Sequence, residues 1–227
     1  MGNKNIILII VFSVFACAVH AVMLNTVLNA YAYTSILKFT LFTAFPIIYF
    51  VVLKRGKLRE LFTIKGQPEK RNLKISFIIG FSVLAFLLIM FVVLYSFLDR
   101  EMIVGGLEKT GITAENFPFV FVYIIFINAA LEEIFFRGFV FLTIYQSGYR
   151  KFAYVYSSLL FSVYHVFIMD DWFSPAMFIL LLAGLVAAGL IFNELTKRCK
   201  SVFGSLIVHV SANLAINLIG VYYFYLH

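Results

Sequence analysis

Two adjacent glutamates, Glu132 and Glu133, stand in the middle of an apolar run that reads Leu131-Glu132-Glu133-Ile134-Phe135-Phe136-Arg137-Gly138. A carboxylate so placed can take a proton from water as a general base, or hold a metal. An ionisable group inside a membrane span costs about 2.5–3.5 kcal/mol on insertion scales, which makes each one a functional candidate. At 3.6 residues per turn Glu133 and Arg137 share a helix face and can pair, whereas Glu132 points roughly 100° away. One arginine does not readily neutralise two buried carboxylates. Pairing of Glu133 with Arg137 then leaves Glu132 as the carboxylate expected to be free for chemistry. The competing structural reading makes all three a single charge cluster at a helix end.

Two further apolar runs carry polar side chains at helical spacing. In Ser158-Leu159-Leu160-Phe161-Ser162-Val163-Tyr164-His165, Phe161 and His165 share a face, with Ser158 and Ser162 close to it. Taken alone, a membrane histidine is more often a hydrogen-bonded core group than a catalyst. The last run carries Ser205, His209, Asn213 and Asn217 at steps of four. Lipid cannot satisfy such a stripe, so it faces protein or water. Interhelical hydrogen bonds, worth about 0.6–2 kcal/mol each, would also account for it.

The elements that must position these residues follow from composition. Of 227 residues 63% are hydrophobic and 13% charged, against about a quarter charged in a soluble domain. A span needs about 20 mostly apolar residues, and runs at 6–24, 34–53, 74–98, 117–146, 150–169, 174–193 and 202–220 approach or meet that length. The sequence therefore predicts an all-α, polytopic transmembrane helical bundle of about seven spans. The run 117–146 is too long for a simple crossing, so it tilts, kinks or projects. A soluble globular protein is excluded.

The net charge of +7 comes from short loops and reads as orientation signal and lipid contact, not as a nucleic-acid site. Cys17 and Cys199 form neither a disulfide framework nor a metal spacing. The run to Leu24 reads as a retained first helix, since no clean cleavage site ends it. Lys54, Arg55, Lys57, Arg59, Lys65, Lys70, Arg71 and Lys74 mark a cytoplasmic loop, and the loop 99–116 is acidic and external. Arg150 and Lys151 fall inside, Asp170 and Asp171 outside, and Lys197, Arg198 and Lys200 inside. The N-terminus is thus expected in the cytoplasm and the C-terminus outside.

Residues 1–227 read as one integral membrane domain, with an N-terminal helix pair and basic loop over 1–73 and the helical core that carries the chemistry over 117–217. Counted from the cytoplasmic ends, Glu132, His165 and His209 lie about 14, 14 and 8 residues into their helices, within roughly 10 Å of one another in depth. Three helices are expected to converge on one buried cavity opening toward the cytosol. His20 and His227 belong to no motif and read as incidental.

Glu132-Glu133-x-x-x-Arg137, Phe161-x-x-x-His165 and His209-x-x-x-Asn213 resemble the three motifs of the CAAX prenyl endopeptidase and bacteriocin-processing family (CPBP, or Abi). The local text LEEIFFRGFVF, FSVYH and GSLIVHVSAN resembles that family as well, over roughly residues 117–217. The resemblance implies a glutamate-dependent intramembrane endopeptidase with no cofactor and no metal. It implies Glu132 as the general base and His165 as the group that holds and activates water. His209 and Asn213 would stabilise the oxyanion, with Glu133, Arg137 and Phe161 in support. An amide aimed at a developing oxyanion is worth about 2.7–4 kcal/mol. No serine or cysteine stands in a comparable constellation, so direct attack by water is expected.

Two other readings stay open. Glu132, His165 and His209 make a legitimate ligand set for a catalytic zinc, although the His-Glu-x-x-His of helix-borne zinc proteases is missing. A non-enzymatic immunity or scaffold protein would bind a peptide or another membrane protein without needing its base. The partners expected are the lipid bilayer and a peptide or membrane-protein substrate, in a membrane expected to be the bacterial cytoplasmic one.

Overall fold

The computed structural model describes residues 3–26, 31–53, 62, 70–166 and 173–226. The basic segment 54–69 apart from Phe62, the acidic pair Asp170–Asp171 and His227 lie outside the described residues. The fold is all-helical, with no β-strand among the described residues. The elements are α1 (Asn3–Thr26), α2 (Tyr31–Ile47, running on as a wider π-helical turn to Leu53), α3 (Lys70–Leu94), α4 (Arg100–Lys109), α5 (Phe117–Gln146), α6 (Arg150–Val166), α7 (Pro175–Cys199) and α8 (Phe203–Val221). Long apolar runs become helices because only a helix satisfies every backbone N–H and C=O within the run.

Six of these helices, α1, α2, α3, α5, α7 and α8, are long and apolar enough to cross a membrane. The protein is an integral membrane protein. The remaining expected span, α6, has 17 residues in helix, and residues 167–172 beyond it are not described. The short α4 is amphipathic in a different way. Asp99 caps it by accepting from the Met102 N–H at 3.1 Å, Glu101 lies in its first turn and Lys109 in its last, each complementing the helix dipole.

Consecutive spans run in opposite directions, so the bundle has two ends. At one end the Asn72 side chain donates to the Arg198 carbonyl, Tyr154 donates to Glu194, and α5 turns into α6 through Gly148 at φ 97°, a left-handed conformation suited to glycine. At the other end the Tyr31 N–H donates to the Thr110 carbonyl, Arg100 donates to the Tyr223 carbonyl, and Phe117 packs on Phe224.

The middle of the bundle is an aromatic core. Phe42 of α2 stacks on Phe135 of α5 with ring centroids 4.0 Å apart and planes within 9°. Phe42 also meets Phe136 edge-on, Phe136 meets Phe161 of α6, and Phe139 meets Tyr49. These offset and edge contacts add about 0.5–1.5 kcal/mol per pair to plain burial, and they lock α2, α5 and α6 in register. The expected irregularity of the long fifth helix takes a definite form: α5 widens into π-helical turns at Tyr123–Asn128 and at Glu133–Leu142. Such turns concentrate at functional sites, and the four normal residues between them, Ala129–Glu132, end on the first glutamate.

Candidate active site

The register set by Phe42 and Phe135 brings α2 to the paired glutamates. Thr34, Lys38, Phe42 and Pro46 are the buried face of α2, and Lys38 lies one turn from Phe42 on the same stripe. Its Nζ donates to Glu132 Oε1 and to Asn128 Oδ1, both at 2.5 Å, and Asn128 Nδ2 donates to the same Glu132 oxygen at 3.1 Å. Both charged side chains are buried. Spacing alone pointed to Arg137 as the one cation for the two glutamates, and α2 supplies a second. Each carboxylate of the pair now has its own, Lys38 for Glu132 and Arg137 for Glu133.

Glu132 Oε2 is placed differently. It has no hydrogen-bond partner, and two imidazole nitrogens face it, His209 Nε2 at 3.6 Å and His165 Nε2 at 3.9 Å. The tautomers follow from the other ring nitrogens. His165 Nδ1 lies 2.7 Å from the Phe161 carbonyl, which can only accept, so Nδ1 carries the proton. His209 Nδ1 lies 2.8 Å from Glu133 Oε1, and a carboxylate imposes the same tautomer. In the neutral rings both Nε2 atoms are therefore acceptors. Three acceptors converge on one space and cannot bond to one another, so the space suits a group that brings protons, such as a water molecule.

Behind His209 the charges alternate. Glu133 Oε1 also forms an ion pair with Arg137 Nη1, 3.2 Å away, the pairing expected from the four-residue spacing. The guanidinium is fully buried and lies between two rings, 4.2 Å from the centroid of Phe161 and 4.8 Å from that of Phe192. Phe192 stacks on His209, and Phe161 meets both histidines edge-on. Phe161 is thus a shared wall for Arg137, His165 and His209. Phe192, on α7, plays the same part without belonging to any sequence motif.

The polar stripe of α8 splits into separate tasks. Ser205 bonds Thr196 of α7 at 2.9 Å, His209 joins the glutamates, and Asn213 Nδ2 donates to the Ile124 carbonyl of α5 at 3.0 Å. Asn217 Nδ2 donates to the Asn213 carbonyl at 2.8 Å. One N–H of Asn213 is thus engaged with the π-helical part of α5, and the side chain still borders the cavity described next.

A cavity of about 440 Å³ reaches the site, with Lys38, Glu132, Tyr164 and His165 in its wall, together with Leu94, Leu107, Phe117, Met177 and Asn213. Its wall belongs to the end of the bundle formed by α4, the start of α5 and the last turns of α3 and α8. A cavity opening toward the basic end was expected, and this one lies instead on the side of Glu132 away from that end. The reason is packing: on the basic side of Glu132 the fully buried rings of Phe135, Phe136, Phe139 and Phe141 fill the bundle. Residue depth along three helices fixes the level of the site and leaves open the side on which the helices part. His20, expected to be incidental, has a definite place. It is buried in the cavity wall, 5.3 Å from the Tyr164 ring.

Residues 114–215 match the family described as type II CAAX prenyl endopeptidase Rce1-like. Comparison with curated proteins and with solved structures gives no match. The matched segment holds Glu132, Glu133, Arg137, Phe161, His165, His209 and Asn213, whereas Lys38 and His20 precede it. Over this segment, a little under half of its length, the chain is similar to the CAAX protease (CPBP) family of membrane endopeptidases.

Proposed function

We propose that this protein is an intramembrane endopeptidase that hydrolyses a peptide bond by water activated at Glu132, without a metal. The observation that carries the reading is the unpartnered Oε2 of Glu132, with the Nε2 atoms of His165 and His209 facing it at 3.9 and 3.6 Å. A water in that space donates one hydrogen to Oε2 and the other to an imidazole Nε2. As its oxygen bonds to the scissile carbonyl carbon, Glu132 takes the proton and the carbonyl becomes an oxyanion. The oxyanion is met by donors on the cavity wall, the second amide N–H of Asn213 and the third ammonium N–H of Lys38. Collapse of the tetrahedral species breaks the C–N bond, and Glu132 returns the proton to the leaving amine.

Lys38 and Asn128 hold Oε1, so the carboxylate keeps one orientation with the other oxygen toward the water. Glu133 acts through His209, fixing its tautomer, and Arg137 balances Glu133. Substrates of this reading are a peptide or a membrane-protein segment able to enter an apolar cavity. Its short loops and lean architecture support a place in a bacterial cytoplasmic membrane.

The convergence of one carboxylate and two imidazoles also favours a zinc-dependent hydrolase. Against it stands the Lys38 ammonium, 2.5 Å from the same carboxylate, which would repel a divalent cation. Among the described residues no group of three His, Cys, Asp or Glu side chains is arranged to hold a metal.

The test compares peptide termini by mass spectrometry in membranes from a gene-deleted strain, the strain restored with wild type, and the strain restored with Glu132→Ala. Fragments found only with wild type, and persisting after treatment with a chelator, are expected. Fragments lost on chelation and regained with zinc move the reading to the metal enzyme. Identical termini in all three strains, with the variant still rescuing any deletion phenotype, move it to a binding role.

A further inference from the structure

The two ends of the bundle differ sharply in charge. Among the described residues outside the buried quartet Lys38, Glu132, Glu133 and Arg137, the cations Lys74, Arg150, Lys151, Lys197, Arg198 and Lys200 lie toward the α5–α6 turn end, where α3 begins after the basic sequence run 54–69, and Arg100 and Lys109 lie toward the other. Asp99, Glu101, Glu108 and Glu115 lie toward that other end as well. Basic segments between spans are retained in the cytoplasm, and acidic residues contribute little to that choice. The α5–α6 turn end therefore faces the cytoplasm.

The cavity lies wholly on the opposite side. Its wall is made by the halves of α1, α2, α3, α5, α6, α7 and α8 that point away from the basic end, and by Ile103 and Leu107 of α4. Helix α4 lies across that end with Glu101 and Glu108 exposed. Among the described residues, the basic half of the bundle next to Glu132 is filled by the fully buried phenylalanines of α5.

We propose that the site is served from the extracytoplasmic face of the membrane, so that its substrate is an exported peptide or the outward-facing juxtamembrane segment of a membrane protein, not a cytosolic chain. The side of access follows from charge and packing alone, and only the cutting of that chain rests on the function proposed above. A protein placed this way acts after translocation. The class of reaction that supplies its substrate is transport or insertion across the bilayer.

Single cysteines test this in spheroplasts of a bacterial host, on a background in which the two buried native thiols are replaced (Cys17→Ala, Cys199→Ala). Ser35→Cys reports on the cavity wall, Glu108→Cys on the exposed surface of α4, and Lys151→Cys on the exposed basic end. The probe is a membrane-impermeant sulfonated maleimide. Labelling of Ser35→Cys and Glu108→Cys before permeabilisation, with Lys151→Cys labelled only afterwards, is the expected result. The reverse pattern, or labelling of all three before permeabilisation, overturns the orientation. Labelling of Glu108→Cys but not Ser35→Cys before permeabilisation overturns access to the cavity from that face. None of these readouts needs cleavage, so a protein that cuts nothing can still give any of them.

Discussion

Lys38 reaches out of a segment with no motif of its own and places its ammonium 2.5 Å from Oε1 of Glu132, inside the bilayer-spanning part of the bundle. Removing one partner of a buried ion pair typically costs about 3–5 kcal/mol, because the other charge is left uncompensated. Lys38→Met is expected to lower stability by that order, read from denaturation of the purified protein in detergent. Adding Glu132→Gln to Lys38→Met should recover most of the loss, since two neutral side chains then share the pocket. Equal stability of Lys38→Met and wild type would show that the pair contributes nothing to the fold.

Glu132→Gln alone separates the chemistry from the folding. The amide keeps the volume of the side chain but cannot take a proton from water. General-base catalysis contributes typically about 10²–10⁴-fold, and a loss of that size is expected in the cleavage detected by terminal mass spectrometry. Some instability is expected as well, since Lys38 then lacks its counter-charge. The Lys38→Met, Glu132→Gln double variant controls for this: it should be as inactive as Glu132→Gln while folding better. Cleavage that survives in either variant would remove Glu132 from the role of base.

Much of this site was legible in the sequence because ionisable groups in apolar helices are too costly to be accidental. The Glu133–Arg137 pair and the meeting of Glu132, His165 and His209 follow from spacing and depth. Lys38 was not legible in the same way. A lone lysine a short way into a span commonly snorkels to the interface with its stem in lipid, and only the docking of Phe42 on Phe135 turns it inward. The side of the cavity was hidden for a related reason. Helical periodicity gives the face and level of a residue, while the open side depends on which half of the bundle the aromatic rings fill.

Arg137 tests the buried arrangement from the other direction. Its guanidinium plane is held between Phe161 and Phe192 as well as against Glu133, a geometry that an ammonium cannot reproduce. Arg137→Lys keeps the charge and loses the stacking, so a stability loss of about 1–2 kcal/mol is expected from the cation–π contribution in a desolvated site. Arg137→Met leaves Glu133 unpaired and should cost more, about 3–5 kcal/mol. The ordering Met worse than Lys worse than wild type, measured by the same denaturation assay, is the check. Equal losses for the two variants would mean that the charge on Arg137 adds nothing beyond its packing.

The packing of α6 on α7 sets the position of His165, and one glycine controls it. A Cβ at Gly189 would lie 2.9 Å from the Ser158 Cα and 3.0 Å from its Cβ. The α6 helix therefore has to move away if the position gains a methyl group. At Gly184, five residues earlier on α7, a Cβ would meet nothing within 4 Å. The two Gly→Ala variants gain the same helix propensity and differ in this contact alone. Gly184→Ala is expected to be neutral or stabilising by about 0.4–1 kcal/mol, with cleavage unchanged. Gly189→Ala is expected to lose about 1–3 kcal/mol through overpacking. It should also cut more slowly, since a displacement near 1 Å of catalytic groups can cost about 10²-fold in rate. Stability and cleavage measured side by side on the two variants decide the matter. If Gly189→Ala behaves like Gly184→Ala in both, the close approach of α6 and α7 does not govern where His165 stands.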